Sequence, residues 1–131
     1  MGDVGGGMTE LRRRILVVED DEFLIMDLEI TLSEEGYEVI CAATIDEALE
    51  RIKEHPLDGA LLDVNLHGNH RSFSIADALV DAAVPFAFLT GRSRSYLPER
   101  FRERKIVAKP YRLDEVLGAL AEIAGAPMDR P

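Results

Sequence analysis

Acidic, hydroxyl and ammonium side chains stand where four short apolar runs of the sequence end. They are Glu19 and Asp20, then Asp63, then Thr90, and finally Lys109. Three carboxylates that converge repel one another and favour a bound cation, and an all-oxygen ligand set suits Mg²⁺ rather than zinc. One carboxylate can then attack phosphorus while the cation, the ammonium and the hydroxyl bind phosphoryl oxygens. Together these groups can form an aspartyl phosphate by carboxylate nucleophilic catalysis.

The apolar runs are predicted to be strands that alternate with helices. Ile15–Val18 is short and continuously apolar, as expected of a strand covered on both faces. The other predicted strands are Tyr37 to Ala42, Leu57 to Leu62, Phe86 to Leu89, and Ile106 to Ala108. The first predicted helix carries Leu24, Leu28 and Leu32 and stops near Gly36, and the others span Thr44 to Pro56, Ile75 to Ala83, Leu97 to Arg104, and Leu113 to Ile123.

Alternation of this kind brings the polar residues together. Strands joined by helical crossovers pair in parallel, because such crossovers are right-handed, and the helices cover both faces of the sheet. Ligands of these folds bind beyond the carboxyl ends of the strands. The sequence therefore predicts one crevice, at that edge of an α/β domain, in which all these side chains meet.

Composition narrows the class of protein. The 131 residues include 25 acidic and 15 basic side chains, a net charge of −10, and 47% hydrophobic residues, enough for the core of one domain. The acidic balance disfavours a nucleic-acid binder that depends on overall positive charge. A single cysteine, Cys41, excludes an internal disulfide framework. No apolar run approaches the roughly 20 residues of a membrane helix and no signal-peptide core is present, so we expect a cytoplasmic protein without membrane insertion.

Four motifs resemble those of the receiver domain of two-component response regulators. They are Ile15–Asp21, Leu61–Leu66, Leu89–Gly91 and Val107–Pro110, in that order. The resemblance runs from about residue 14 to residue 125. It implies a flavodoxin-like (βα)5 fold, with a doubly wound five-stranded parallel sheet in the strand order 2-1-3-4-5.

The resemblance also implies a role for each residue of the crevice. Asp63 would accept a phosphoryl group from a phosphohistidine on a histidine kinase or phosphotransferase protein. Thr90 would move toward the phosphoryl group as the switch hydroxyl, and Lys109 would ion-pair with it. The bond between Lys109 and Pro110 is commonly cis in the family.

A magnesium site is implied at the same place. Asp20, Asp63 and the backbone carbonyl of Asn65 would bind Mg²⁺ directly. Glu19 would act through a water molecule. Asp21 and Glu22 are interpreted instead as acids that favour the first turn of a helix, where the positive end of the helix dipole lies.

Several positions depart from the family pattern. Ile106 stands where many receivers carry an aromatic residue that rotates with the switch threonine, and His67 replaces a common proline. The stretch Pro85–Gly91 resembles the PFxFATGY-type motif of stand-alone receivers known mainly from alphaproteobacteria, but Leu89 replaces its alanine and Arg92 its tyrosine. We expect His67 to be a solvated loop residue, with contact to the phosphoryl site as the less favoured alternative.

The predicted organisation is a flexible tail over residues 1–11, a receiver domain over 12–125, and a short tail over 126–131 with no output domain. Such a chain would signal through a surface that binds a downstream protein, as a monomer or weak dimer. A local basic cluster could steer an acidic partner or be a solvated face; it consists of Arg92, Arg94, Arg100, Arg102, Arg104 and Lys105.

Two other functions stay open at this point. A Mg²⁺-dependent phosphatase would use Asp63 as its nucleophile, but haloacid-dehalogenase-type enzymes place a second acid two residues later, where this chain has Asn65. A receiver-like scaffold independent of phosphorylation is the other alternative. The pattern favours a phosphoacceptor signalling domain over an enzyme.

Overall fold

The fold comes from a computed structural model that describes residues 12–67 and 70–127. Its main strands are β1 (Arg14–Val18), β2 (Glu38–Ala42), β3 (Gly59–Asp63), β4 (Phe86–Thr90) and β5 (Lys105–Ala108). Its α-helices are α1 (Glu22–Glu34), α2 (Ile45–Glu54), α3 (Phe73–Asp81) and α4 (Leu113–Ala124). The tail predicted over residues 1–11, and residues 128–131 of the predicted C-terminal tail, lie outside the described residues.

The five main strands form one parallel sheet in the order β2-β1-β3-β4-β5. This is the flavodoxin-like order that the resemblance to receiver domains implied. Every residue of β3 and β4 is buried, which explains why these strands are apolar along their whole length. The register sets Val18 opposite Ala42 and Leu62, so the carboxyl ends of the central strands lie level.

Local sequence signals fix where the first two helices begin and end. The Asp21 carboxylate accepts hydrogen bonds from the backbone N–H groups of Phe23 and Leu24, at 2.9 and 3.2 Å, and so caps α1. Gly36, just beyond that helix, has a φ of 107°, a conformation that suits glycine. The Thr44 hydroxyl caps α2, at the start of the predicted helix, by accepting from the N–H of Glu47 at 3.1 Å.

The connection between β4 and β5 contains no α-helix, so the helix predicted from Leu97 to Arg104 is wrong. Two single 3₁₀ turns, Arg94–Tyr96 and Glu99–Phe101, take its place. Pro98 separates them, because it lacks an N–H donor and biases the preceding residue away from helical conformation. Four α-helices therefore flank the sheet in the described part of the chain, instead of five.

Arginine side chains bind backbone carbonyl groups of this connection. Arg94 Nη1 donates to the carbonyl oxygens of Arg102 and Arg104, at 2.6 and 2.7 Å, and Arg102 Nε donates to that of Leu97 at 3.0 Å. Phe101 anchors the connection in the core, where its ring lies 5.7 Å from that of Phe88. Much of the predicted basic cluster thus serves the fold.

The segment after β3 contains a short antiparallel pairing of its own. Residues Asn65–Leu66 pair with His70–Arg71 as a two-stranded antiparallel hairpin. The helix that follows begins at Phe73, two residues earlier than predicted, because the Phe73 ring packs against those of Phe88 and Phe101, at 6.3 and 6.0 Å. We call the paired residues 65–66 and 70–71 the β3–α3 hairpin.

Candidate functional site

The carboxyl edge of the sheet gathers the five residues that the sequence singled out. Asp63 and Thr90 are the last residues of β3 and β4, and both are buried. Glu19 and Asp20 follow β1, and Lys109 follows β5. Because the strands are parallel and in register, their ends open onto the same crevice.

An ammonium group lies between two carboxylates in this crevice. Lys109 Nζ donates to Glu19 Oε1 at 3.1 Å and to Asp63 Oδ2 at 3.2 Å. The carboxylate side chains are only 2% and 9% exposed, whereas that of Lys109 is 24% exposed. Burial alone would lower the pKa of Lys109, but the charges of Asp63 and Glu19 outweigh it and raise that pKa. Lys109 therefore stays cationic and partly compensates two buried anions.

One ammonium does not neutralise the acidic groups present. Ligand oxygens of Glu19, Asp20 and Asp63 all lie within 4.8 Å of one another, and no other such group of acidic, histidine or cysteine side chains occurs among residues 12–67 and 70–127. Burial, and to a smaller extent the negative charge of Asp63, raises the pKa of Glu19 to about 7. Crowded carboxylate oxygens of this kind are hard ligands that suit Mg²⁺.

Backbone hydrogen bonds hold the remaining groups near the crevice. The N–H of Asn65 lies 3.4 Å from Asp63 Oδ1, and that of Arg92 donates to Thr90 Oγ1 at 3.0 Å. The backbone N–H of Lys109 donates to the carbonyl of Thr90 at 2.9 Å, and the bond between Lys109 and Pro110 is cis. The strand ends thus bring acid, hydroxyl and ammonium within one small volume.

His67 is solvated, as expected, because its side chain is 89% exposed. Its Nδ1 nevertheless contacts Asp20 Oδ2. His67 therefore contacts Asp20, a predicted magnesium ligand, and not the predicted phosphoacceptor Asp63.

Sequence reasoning missed Tyr96, which lies at the edge of the crevice. Its hydroxyl is 3.4 Å from Asn65 Oδ1, and the guanidinium carbons of Arg92 and Arg71 lie 4.3 and 5.5 Å from its ring centroid. The one available signal was an aromatic residue close to the predicted switch threonine. Periodicity alone could not reveal it, because its contacts come from two other segments, the β3–α3 hairpin and the residues just after β4.

Comparison with known proteins decides the family. The response regulator receiver domain family matches residues 15–121. The chain belongs to this family. Receiver domains are signalling domains of two-component systems, and they interact with histidine kinases or phosphotransferases. Among the described residues, no helix combines the length and apolar character needed to cross a bilayer.

Individual relatives of this receiver domain agree with the assignment. SdrG from Sphingomonas melonis Fr1 is 37% identical, with a TM-score of 0.74 over 86% of this chain and 97% of SdrG. The transcriptional regulatory protein PdtaR of Mycobacterium tuberculosis is 30% identical over 82% of this chain and 55% of its own length. The fold is shared by the receiver domain of the sensor histidine kinase PA1611 of Pseudomonas aeruginosa PAO1, which was solved with magnesium in its active site cleft. That domain is 23% identical to this chain, with a TM-score of 0.72 over 88% of this chain and 99% of the domain.

The receiver domain spans about half the length of the curated relatives it matches, from 35% of AruR to 62% of MtrA.

Proposed function

We propose that this receiver domain accepts a phosphoryl group on Asp63 from a phosphohistidine donor, with Mg²⁺ bound, and that phosphorylation changes a surface read by another protein. The observation that carries the proposal is the placement of Asp63 at the end of β3, hydrogen-bonded to Lys109 and crowded by two further acids. A structural salt bridge would need one carboxylate. The additional acids cost stability unless they bind a cation.

The covalent step is a phosphoryl transfer that needs no further reactant. A carboxylate oxygen of Asp63 attacks the phosphorus atom, and the phosphorus–nitrogen bond of the phosphohistidine breaks. The imidazole leaves with the electron pair of that bond and takes up a proton. The products are an acyl phosphate on Asp63 and a neutral histidine on the donor.

The acidic cluster would hold the cation with oxygen atoms only. Asp20, Asp63 and the backbone carbonyl of Asn65 are the direct ligands in this proposal, and Glu19 acts through water. When bound, Mg²⁺ neutralises negative charge on the phosphoryl oxygens. This neutralisation lets an anionic group approach carboxylates that already repel one another.

Thr90 and Lys109 bind the phosphoryl group once it is in place. The Thr90 oxygen accepts a hydrogen bond from Arg92, so its own hydrogen is available for donation to a phosphoryl oxygen. Lys109 is within 3.2 Å of Asp63 and can transfer one of its hydrogen bonds to the new dianion. Both groups therefore gain a stronger partner on phosphorylation.

Helix α1 offers a surface that suits the donor protein. Phe23, Met26 and Ile30 are 82%, 53% and 50% exposed, and their spacing places them along one side of the helix. The helix begins next to Asp20, at the crevice. A phosphohistidine that reaches Asp63 must come from a protein that covers this edge, and the apolar side chains would be buried beneath it.

Intact-mass spectrometry after incubation with acetyl phosphate and Mg²⁺ tests the proposal. We expect one phosphoryl adduct on the native protein, no adduct when EDTA is added to remove Mg²⁺ before the incubation, and no adduct on Asp63→Asn. Asp81→Asn, an exposed acid at the end of α3, is the matched control and should be labelled normally. An undiminished adduct on Asp63→Asn would refute the acceptor assignment. No adduct, together with no binding of beryllofluoride, would favour the scaffold alternative.

A further inference from the structure

Tyr96 is held by two arginine side chains from different segments. The guanidinium carbon of Arg92 lies 4.3 Å from the ring centroid and that of Arg71 lies 5.5 Å from it. Tyr96 belongs to the first 3₁₀ turn, whereas Arg71 lies on the β3–α3 hairpin and Arg92 lies two residues beyond β4. Contacts of this type are cation–π interactions.

Two routes of hydrogen bonds connect this group to the acceptor site. The Tyr96 hydroxyl lies 3.4 Å from Asn65 Oδ1, and the Asn65 N–H lies 3.4 Å from Asp63 Oδ1. On the other side, the Arg92 N–H donates to Thr90 Oγ1 at 3.0 Å. A movement of either Asp63 or Thr90 therefore reaches the Tyr96 ring through one intermediate residue.

The two guanidinium groups have no anionic partner among the described residues. By contrast, Arg100 forms a bidentate ion pair with Asp77, at 2.9 and 3.0 Å, in the same part of the fold. A phosphoryl group at Asp63 would add a compact dianion next to Thr90, and guanidinium groups bind such anions strongly. The electrostatic attraction then competes with the weaker contact to the tyrosine ring.

We propose that Tyr96 is the switch residue of this chain, whose ring loses its Arg92 contact when Asp63 is phosphorylated. The inference rests on the proposed function. The ring is half-buried and packs against the apolar cluster that contains Phe88 and Phe101, so a change in its position alters both the surface and the connection between β4 and β5. Tyr96 is thus a positioning residue that reports the state of Asp63 to a partner.

Fluorine NMR of protein labelled with 3-fluorotyrosine tests this coupling. The chain has three tyrosines, Tyr37, Tyr96 and Tyr111, and single Tyr→Phe substitutions assign their signals. On addition of Mg²⁺ and beryllofluoride, we expect the Tyr96 signal to shift. The Tyr37 signal should stay in place, because its hydroxyl is bonded to the Gly125 carbonyl at 3.1 Å, outside the crevice.

A pair of arginine variants separates the switch from a general structural effect. Arg92→Gln should move the Tyr96 signal toward its beryllofluoride position before any ligand is added, and should remove most of the ligand-induced shift. Arg100→Gln is the matched control, because that guanidinium lies 4.5 Å from the Phe101 ring instead. Arg100→Gln should leave unchanged both the Tyr96 signal of the unliganded protein and the shift of that signal on addition of beryllofluoride.

The outcomes distinguish this inference from the proposed function. If beryllofluoride shifts the signal of Tyr111, which lies beside Pro110, but not that of Tyr96, the inference is wrong and the acceptor assignment stands. If calorimetry detects no beryllofluoride binding and acetyl phosphate gives no adduct, both are wrong. The native protein decides the question even if Arg92→Gln fails to fold, because an unmoved Tyr96 signal in the liganded native protein contradicts the switch.

Discussion

Replacement of Asp63 by asparagine is expected to stabilise the fold in the absence of divalent cations. Asparagine keeps the shape of the side chain and removes its charge. The negative groups of Glu19 and Asp20 lie within 4.8 Å of Asp63, whereas the Lys109 ammonium lies 3.2 Å from it. The sign of the effect depends on whether the two repulsions exceed the one attraction.

The distances allow a rough magnitude. At an effective dielectric constant of about 20, each repulsion is worth at least about 3.5 kcal/mol, because the oxygens lie no farther apart than 4.8 Å, and the attraction at 3.2 Å is worth about 5 kcal/mol. The two repulsions exceed the attraction by about 2 kcal/mol, and screening at the open side of the crevice reduces this to about 1 kcal/mol. We therefore expect Asp63→Asn to raise the free energy of unfolding by about 1 to 2 kcal/mol.

Urea denaturation followed by far-UV circular dichroism measures this difference. In EDTA at pH 9, above the pKa of about 7 to which burial and the Asp63 charge raise Glu19, the Glu19 carboxylate is charged and the variant should unfold at a higher urea concentration than the native protein. Added Mg²⁺ should stabilise the native protein strongly and the variant weakly, because a cation that binds only the folded state stabilises it by mass action. Asp81→Asn, which changes an exposed acid, should shift stability by less than about 0.5 kcal/mol. A variant less stable than the native protein in EDTA would refute the reasoning, since the Lys109 attraction would then dominate.

Three further predictions concern other parts of the fold. Burial, and to a smaller extent the charge of Glu29, raises the pKa of the Cys41 thiol to about 11, so at pH 8 its thiolate should be about 100-fold scarcer than that of a free cysteine. The rate of alkylation by iodoacetamide should therefore still increase beyond pH 10. A rate that stops increasing below pH 10 would contradict this prediction. Arg94→Met should destabilise the protein by about 1 to 2 kcal/mol, because two carbonyl groups lose their hydrogen-bond donor. Urea denaturation measures this difference, with Lys53→Met as the control for loss of an exposed positive charge. Equal denaturation midpoints for the two variants would contradict the prediction. Phe23→Ser should leave labelling by acetyl phosphate unchanged but slow phosphoryl transfer from the phosphohistidine donor. Val80→Ser, which changes an exposed apolar residue far from the crevice, is the control. Equal loss of both activities in Phe23→Ser would show that Phe23 takes part in the acceptor chemistry instead.

The main features of the fold and the crevice could be predicted from sequence because their signals are local. The continuous apolar run of β1 marks a strand buried on both faces, and the polar residue that follows such a strand must lie at the carboxyl edge of a parallel sheet. Asp63, Thr90 and Lys109 were found by this rule. Their roles in phosphoryl transfer stay predictions that the labelling experiment tests.

The features that sequence did not reveal depend on contacts between distant residues. Leu97 to Arg104 has the length and charge of a helix, but Arg94 binds carbonyl groups eight and ten residues away and so stabilises turns instead. The contacts of Tyr96 with Arg71 and with Asn65 likewise join segments far apart in the chain. Propensity and periodicity describe neighbours along the chain, and neither contains this information.

The absence of an α-helix between β4 and β5 also affects how this part of the domain can move. An α-helix moves as one rigid body, since each backbone bond in its ladder supports the next. Besides its two 3₁₀ turns and the buried Phe101 ring, the described connection is held by two different guanidinium groups, those of Arg94 and Arg102, whose carbonyl contacts can break and re-form separately. We therefore expect rearrangement here to proceed in several smaller steps, on the nanosecond to microsecond timescale typical of loops, in place of one slower collective step. Stepwise rearrangement of this kind permits intermediate surfaces between the two end states, and a binding partner can select among them.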